Sequence, residues 1–215
     1  MQPKIKIMKD GALLVTGNVP LSRQVVVEDR GGTPIGYKII KEYPLMEKYA
    51  LCRCGKSKNA PFCDGSHINN GFKSNDKSKK TINWKVIDGQ TLTLYDANNF
   101  CYGAAFCHLG GGTWNLIEKC DKRLARELAI KGAMGCPSGR LVIKDKETDA
   151  ILEPEYPPSI VLLEEEGGIL GPIWVRGNIL IESSDAEDYP IRNRVTLCKC
   201  GKSQNMPFCD GRHYY

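Results

Sequence analysis

The sequence predicts an α+β fold that is mostly β, built from two similar β-rich units with a small mixed insert between them. Three observations support this. The two ends of the chain repeat each other around a cysteine-rich segment. Each copy is preceded by short β-branched and aromatic runs bounded by turn residues. Apolar residues at helical spacing occur in the middle third. We therefore assign residues 1–80 to the first unit, 81–152 to the insert and 153–215 to the second unit.

The duplication is clearest at the cysteines. Residues 51–57 read LCRCGKS and residues 197–203 read LCKCGKS. Asn, Pro-Phe-Cys-Asp-Gly and His then follow at identical spacing in both copies, and the segment 43–45 aligns with 189–191 at the same offset. A constant offset over this length indicates a repeated structural unit rather than an isolated motif.

Strands in the two units are predicted where β-branched and aromatic runs end at turn residues. The expected strands are Ala12–Thr16, Arg23–Glu28 and Tyr37–Ile40 in the first unit, and Ile160–Leu163, Pro172–Arg176 and Ile179–Ser183 in the second. The expected turns are Gly31-Gly32, Gly167-Gly168 and Asp185–Asp188.

The middle third follows a different pattern. Residues 91–95 alternate like a half-buried strand, and residues 141–143 are predicted to be a closing strand. Apolar side chains recur at helical spacing from Trp114 to Met134, which predicts a helix with Asp121 as a possible cap. The apolar positions are Leu116, Ile117, Leu124, Leu128 and Ile130. The polar segment Asn69–Lys80 is the expected linker.

Composition and charge limit which classes of function the sequence supports. The chain has 215 residues, 10 cysteines and a formal net charge of +5. The charge is too small to indicate a nucleic-acid partner. No apolar run resembles a secretory signal or a membrane span, so we expect a cytoplasmic protein without membrane contact. In a reducing compartment, clustered cysteines bind metal more often than they form disulfides.

Each end carries the pattern Cys-x-Cys-x8-Cys-x3-His. The candidate ligands are Cys52, Cys54, Cys63 and His67 in the first copy, and Cys198, Cys200, Cys209 and His213 in the second. Three sulfurs and one imidazole suit a tetrahedral metal or a small iron–sulfur centre. Spacing alone leaves zinc and iron–sulfur open. Asp64 and Asp210 are expected to orient the turn after the third cysteine through hydrogen bonds to the backbone.

These residues resemble the CDGSH iron–sulfur family, which includes mitoNEET, in a soluble tandem form. The first copy matches the family motif at every defined position, whereas Arg212 departs from it in the second. The resemblance implies a 2Fe–2S cluster in each loop. One iron would be held by the first two cysteines, and the other by the third cysteine and the histidine. It also implies that the two units pack as an intramolecular pseudo-dimer within a monomer.

The insert resembles a divergent single-cluster ferredoxin. Cys101, Cys107 and Cys136 match the first, third and last ligands of the ferredoxin pattern, whereas Ala104 stands at the second. The resemblance implies a 3Fe–4S cluster, or a 4Fe–4S cluster with a ligand other than cysteine; buried thiols without a cluster are the alternative. Cys120 is expected to be structural, and His108 to lie on the surface.

The combined hypothesis is an iron–sulfur protein that acts in electron transfer or in storage and transfer of clusters. Its partner would be a redox protein or an apo-acceptor. The alternative is a zinc-binding module that docks partners. The sequence shows no catalytic triad and no nucleotide-binding glycine motif, so we expect no enzyme activity.

Overall fold

Strands dominate the fold, as the sequence predicts. The computed structural model describes residues 2–74, 81–165, 167–184 and 187–214. In chain order the strands are β1 Lys4–Ile7, β2 Leu13–Thr16, β3 Leu21–Glu28, β4 Pro34–Glu42, β5 Lys48–Leu51, β6 Lys85–Asp88, β7 Leu92–Asp96, β8 Leu141–Asp145, β9 Ile151–Leu152, β10 Ser159–Glu164, β11 Leu170–Arg176, β12 Leu180–Glu182 and β13 Arg194–Leu197. The α-helices are α1 Ser66–Asn69, α2 Thr113–Ile117 and α3 Arg123–Gly135, and short 3-10 segments are Asn98–Phe100, Phe106–Gly111 and Arg212–Tyr214.

The two ends of the chain form two sheets that exchange strands. One sheet has the order β12-β1-β2-β5, and the other has the order β13-β11-β10-β3-β4. Strand β12 pairs with β1 in parallel, and β3 pairs with β10 in parallel, while the other pairs in these sheets are antiparallel. Each sheet therefore contains at least one strand from the opposite end of the chain.

A shared apolar core lies between these sheets. It combines Ile5, Leu13 and Leu51 from the first end with Ile173 and Leu197 from the second, and all five are at most 1% exposed. Burial of side chains from both ends makes the two units depend on each other for stability.

The insert has its own sheet and its own core. Strands β6, β7, β8 and β9 form an antiparallel sheet in that order, and α2 and α3 pack on it. The strand predicted at 91–95 and the closing strand at 141–143 are confirmed by β7 and β8. Strand β7 is buried on both faces rather than one, because Thr93 is buried along with Leu92 and Leu94.

The single helix predicted from Trp114 to Met134 is wrong in detail. The structure has two helices, because the chain turns at residues 118–122 between α2 and α3. Lys122, not Asp121, is the N-cap of α3, and no side chain caps this end. Leu124 is 67% exposed, and α3 instead faces the core with small residues, which are Ala125, Ala129, Gly132 and Ala133.

The strands predicted in the two end units are confirmed within a few residues, as are the turns at Gly31-Gly32 and Gly167-Gly168. Sequence reasoning missed β1, β5 and β13, which are four-residue strands that contain or begin with a basic residue. Residues 185–186 of the expected turn and residues 75–80 of the expected linker lie outside the described residues. Ser74, in the described part of the linker, packs against Asp10 by two hydrogen bonds of 2.9 Å.

Candidate metal centres

Each cysteine motif begins where a strand ends. Cys52 follows β5, and Cys198 follows β13. The loop then folds back on its own strand. The backbone N–H of Cys63 donates to Ala50 O at 2.9 Å, and that of Cys209 donates to Thr196 O at 2.9 Å. These bonds bring the third cysteine beside the strand that delivers the first, so donors far apart in sequence lie together.

Side chains inside each loop hold the turn. The carboxylate of Asp64 accepts hydrogen bonds from the backbone N–H groups of Lys58 at 2.8 Å and Ser66 at 2.9 Å. Asp210 accepts equivalent bonds from Gln204 at 2.9 Å and Arg212 at 3.3 Å. The expected orienting role of both aspartates is therefore confirmed, with the same geometry in the two copies.

The eight donors form four close pairs. The Sγ atoms of Cys52 and Cys54 are 3.7 Å apart, and Cys63 Sγ lies 3.3 Å from His67 Nδ1. In the second loop the Cys198–Cys200 Sγ distance is 3.7 Å, and Cys209 Sγ lies 3.5 Å from His213 Nδ1. Among the described residues, no three His, Cys, Asp or Glu side chains converge closely enough for one metal ion.

The thiols of the insert share one small cavity. Cys101, Cys107 and Cys136 all line it, together with Ala104 and Ser138. The Sγ of Cys136 lies 3.3 Å from the Ser138 hydroxyl. Residues 101–107 reach this arrangement through left-handed backbone at Gly103, with φ 98°, and at Ala105, with φ 57°. The three cysteines predicted as a set are thus close enough to border one site.

The other candidates in the insert behave as expected. Cys120 is fully buried in the core of the insert, and its Sγ accepts the backbone N–H of Thr91 at 3.3 Å. His108 is exposed. The prediction of a structural thiol and a surface histidine is confirmed.

Comparison with known families agrees with this geometry. A family model described as an iron-binding zinc finger of CDGSH type matches residues 10–68 and 170–214. The two ends of the chain therefore match the CDGSH family. A second model, described as a divergent 4Fe-4S mono-cluster, matches residues 87–146. Both resemblances predicted from the sequence are confirmed, and the chain is an iron–sulfur protein.

No curated protein and no solved structure matches the chain. Within the described ranges, no helix combines the length and apolarity that a membrane span requires.

The donor set of each CDGSH loop suits the thiolate and imidazole ligation of an iron–sulfur centre. Burial raises the pKa of Cys209 to about 12 and raises that of Cys52, so these side chains stay protonated in the metal-free chain. The hydrogen bond from Cys200 lowers the pKa of Cys198 to about 6. Binding of a metal centre must therefore release protons from the loops.

Burial also prepares the histidine of the second CDGSH loop. It lowers the pKa of His213 to about 4, so the imidazole is neutral at pH 7. A neutral ring presents an unprotonated nitrogen, which is the form that binds metal.

Basic residues around the sites were missed by sequence reasoning. Arg140 borders the cavity of the insert thiols. Burial lowers the pKa of Arg140, but hydrogen bonds to Asp96 and Cys101 outweigh this effect and raise it. Lys199 lies between the first two cysteines of the second CDGSH loop, and burial lowers its pKa to about 8. In the sequence, only the position of Lys199 between the two cysteines of Cys-x-Cys could have indicated that it lies at the site. Nothing in the sequence marks Arg140, because the fold brings it to the thiols.

Proposed function

We propose that the chain holds one 2Fe–2S cluster in each CDGSH loop and acts, without enzymatic turnover, in electron transfer or in storage and transfer of clusters. The observation that carries the proposal is the arrangement of donors in pairs, at nearly the same distances in both loops. A two-iron centre needs two protein ligands on each iron. Cys52 with Cys54, and Cys63 with His67, supply them in the first loop.

The bound cluster would supply one-electron chemistry, and the side chains of the loop would set its potential. Each loop offers three thiolates and one neutral imidazole. Replacing an anionic thiolate by a neutral ligand reduces the negative charge of the reduced centre. We therefore expect potentials above those of all-cysteine 2Fe–2S centres and below those of Rieske centres with two histidines.

We infer further that the two CDGSH units form an intramolecular pseudo-dimer in a monomeric protein. The support is the reciprocal strand exchange, in which β12 joins β1 and β3 joins β10 in the same parallel sense. The register supports it too, because Ile5 faces Ile181 and, at the equivalent positions of the repeat, Ile160 faces Leu21. A duplicated gene commonly retains the interface of a symmetric ancestor.

We also propose a third cluster, of 3Fe–4S or 4Fe–4S type, on Cys101, Cys107 and Cys136. The support is their shared cavity and the match of residues 87–146 to a 4Fe-4S mono-cluster family. Burial raises the pKa of Cys107 to about 11, and the neighbouring Cys136 and Cys101 add to this rise. This electrostatic coupling indicates that the three thiols lie near one another.

The test is anaerobic purification followed by quantitation of iron, acid-labile sulfide and zinc. Two 2Fe–2S clusters require about four iron and four sulfide per chain, and a third cluster adds about three or four iron and about four sulfide. An EPR signal in the oxidised protein would indicate a three-iron centre in the insert. Colourless protein with zinc and no sulfide, from cells grown with ample iron, would support the zinc-module alternative and overturn the proposal.

The imidazole ligands can be tested directly. The double variant His67→Cys, His213→Cys should show lower potentials and slower loss of the clusters at mildly acidic pH, because thiolates replace the neutral ligands. His108→Gln, which changes the exposed third histidine, is the matched control and should leave the potentials unchanged. Redox titration followed by visible absorbance measures the effect. Unchanged potentials in the double variant would show that the histidines are not ligands.

A further inference from the structure

The two CDGSH loops differ in how far they are covered. In the second loop, Met206 and Cys209 are each 3% exposed. The corresponding residues of the first loop are Ala60, which is exposed, and Cys63, which is only partly buried. The repeated sequence therefore reaches two different environments, and the difference arises from whatever packs on the second loop.

The insert supplies this cover. The ring of Phe100 packs on that of Phe208, with 4.8 Å between centroids. The backbone carbonyl of Asn99 accepts a hydrogen bond from the side chain of Asn205 at 2.8 Å. Residues 99 and 100 lead directly into the segment that carries Cys101, so the covering segment and the insert's thiol loop are continuous.

Tyr102 extends the contact to the histidine. Its ring centroid lies 6.0 Å from that of His213. The ring centroid of Tyr214, the next residue in the sequence, lies 4.2 Å from that of His213. The Nε2 atom of His213 is buried, and no described residue forms a hydrogen bond with it. Two aromatic rings therefore lie beside the partly buried imidazole, and its second nitrogen is shielded from water.

The glycines of the two Cys-Asp-Gly sequences, Gly65 and Gly211, occupy equivalent positions, so the space around them shows how differently the two loops are covered. A Cβ added at Gly211 would lie 3.1 Å from the carbonyl oxygen of Tyr102, whereas a Cβ added at Gly65 would meet no described residue within 4 Å. Both glycines have left-handed backbone, with φ of 84° and 86°. The insert thus contacts the second loop at a position where the described part of the chain leaves the first loop open.

We propose that the insert gives the two CDGSH sites different functions. The N-terminal loop is the exchange site, where the chain gives up iron–sulfur cargo to an acceptor. The C-terminal loop retains its cluster because residues 99–102 must move before a ligand bond can be replaced. This inference rests on the proposed function, since it assumes a cluster in each loop, and it assigns the acceptor to the N-terminal loop.

The experiment follows removal of iron by excess 2,2′-bipyridyl, with dithionite supplying the electrons. Loss of a cluster breaks the bonds from three cysteines and one histidine to iron. The iron passes to the chelator as Fe²⁺, sulfide leaves to solvent, and the freed side chains take up protons. Samples frozen during the reaction and examined by EPR report which clusters remain. The iron and sulfide content is measured before the chelator is added.

We expect two phases for the CDGSH clusters, with the slow one slower by roughly tenfold or more, because its release waits for local opening of the insert contact. Cys63→Ser should abolish the fast phase, and Cys209→Ser the slow phase. Tyr102→Ala should accelerate the slow phase without changing the fast one.

A matched pair of variants keeps the test sharp if Tyr102→Ala perturbs the insert as a whole. Gly211→Ala and Gly65→Ala introduce the same side chain at the same left-handed backbone, but only the first displaces Tyr102. Gly211→Ala should accelerate the slow phase, and Gly65→Ala should leave that phase at the parental rate.

The possible results separate the two proposals. Protein that lacks iron and sulfide before the reaction would overturn the proposed function itself. A single rate of loss in protein that holds both CDGSH clusters would overturn only the proposal that the two sites have different functions. So would a slow phase that disappears in Cys63→Ser, or equal acceleration by the two glycine variants.

Discussion

Arg194→Met should destabilise the protein strongly, because this buried arginine joins the insert to the second CDGSH unit. Arg194 lies on β13 and is 1% exposed. Its Nε and Nη2 donate to the Glu153 carboxylate at 2.7 and 2.9 Å. Its Nη atoms also donate to backbone carbonyls of Ala133, Met134, Cys136 and Leu141. Burial alone would lower the pKa of Arg194, but its bonds to Glu153 raise it, so the guanidinium stays charged.

The magnitude follows from what the substitution leaves behind. Methionine fills much of the volume but donates no hydrogen bond. The Glu153 carboxylate therefore loses its charged partner and keeps the hydrogen bond from Asn193 Nδ2 at 3.1 Å, while carbonyls at the end of α3 lose a donor. Breaking a buried ion pair by removing one partner costs about 3–5 kcal/mol. That is a large share of the roughly 5–15 kcal/mol that stabilises a typical domain. The repeat supplies a control in Lys48, which occupies the same position on β5 and is exposed, so Lys48→Met should cost at most about 0.5 kcal/mol.

Urea unfolding followed by circular dichroism measures the effect, with the iron content of each variant matched beforehand. Glu153→Gln completes a double-mutant cycle, and we expect the two substitutions to be strongly non-additive because they remove the same pair. The reasoning is refuted if Arg194→Met lowers the free energy of unfolding by less than about 1 kcal/mol, or if Lys48→Met lowers it equally.

Two further predictions concern the insert. Ala104→Cys restores the second ferredoxin cysteine inside the cavity of the insert thiols, so it should raise the iron content and abolish any three-iron EPR signal of the oxidised protein. Cys120→Ser, in the core of the insert, should leave that signal as it is. The hydrogen bond from Glu147 N–H and the charge of Arg126 outweigh burial and hold the pKa of Asp145 below 3.8. The ionised carboxylate therefore stabilises the folded protein above that pH, and this contribution is lost on acidification. The urea midpoint of metal-free Asp145→Asn should therefore fall less than that of the parent below about pH 4, and an equal fall in both would contradict this sign.

Several structural features could be predicted because their signal is local. The runs that form β3 and β10 read as strands from composition alone, and the spacing of Cys52, Cys54 and Cys63 marked a metal loop. The break between α2 and α3 could not be read, since the apolar pattern continues across residues 118–122. Leu124 fitted that pattern and is nevertheless exposed, because the close approach of α3 to residues 106–113 selects alanine and glycine for the buried face.

The sequence by itself determined the chemistry of the sites, because ligand type and spacing are properties of contiguous segments, and it determined that the sites occur twice. The tertiary structure decided that the two copies are not equivalent. Segments that repeat the same motif acquire different burial when another part of the chain packs on one of them, as residues 99–102 do on the second loop. The same holds for the strand exchange and for the partners of Arg194, since each depends on contacts between residues far apart in the sequence.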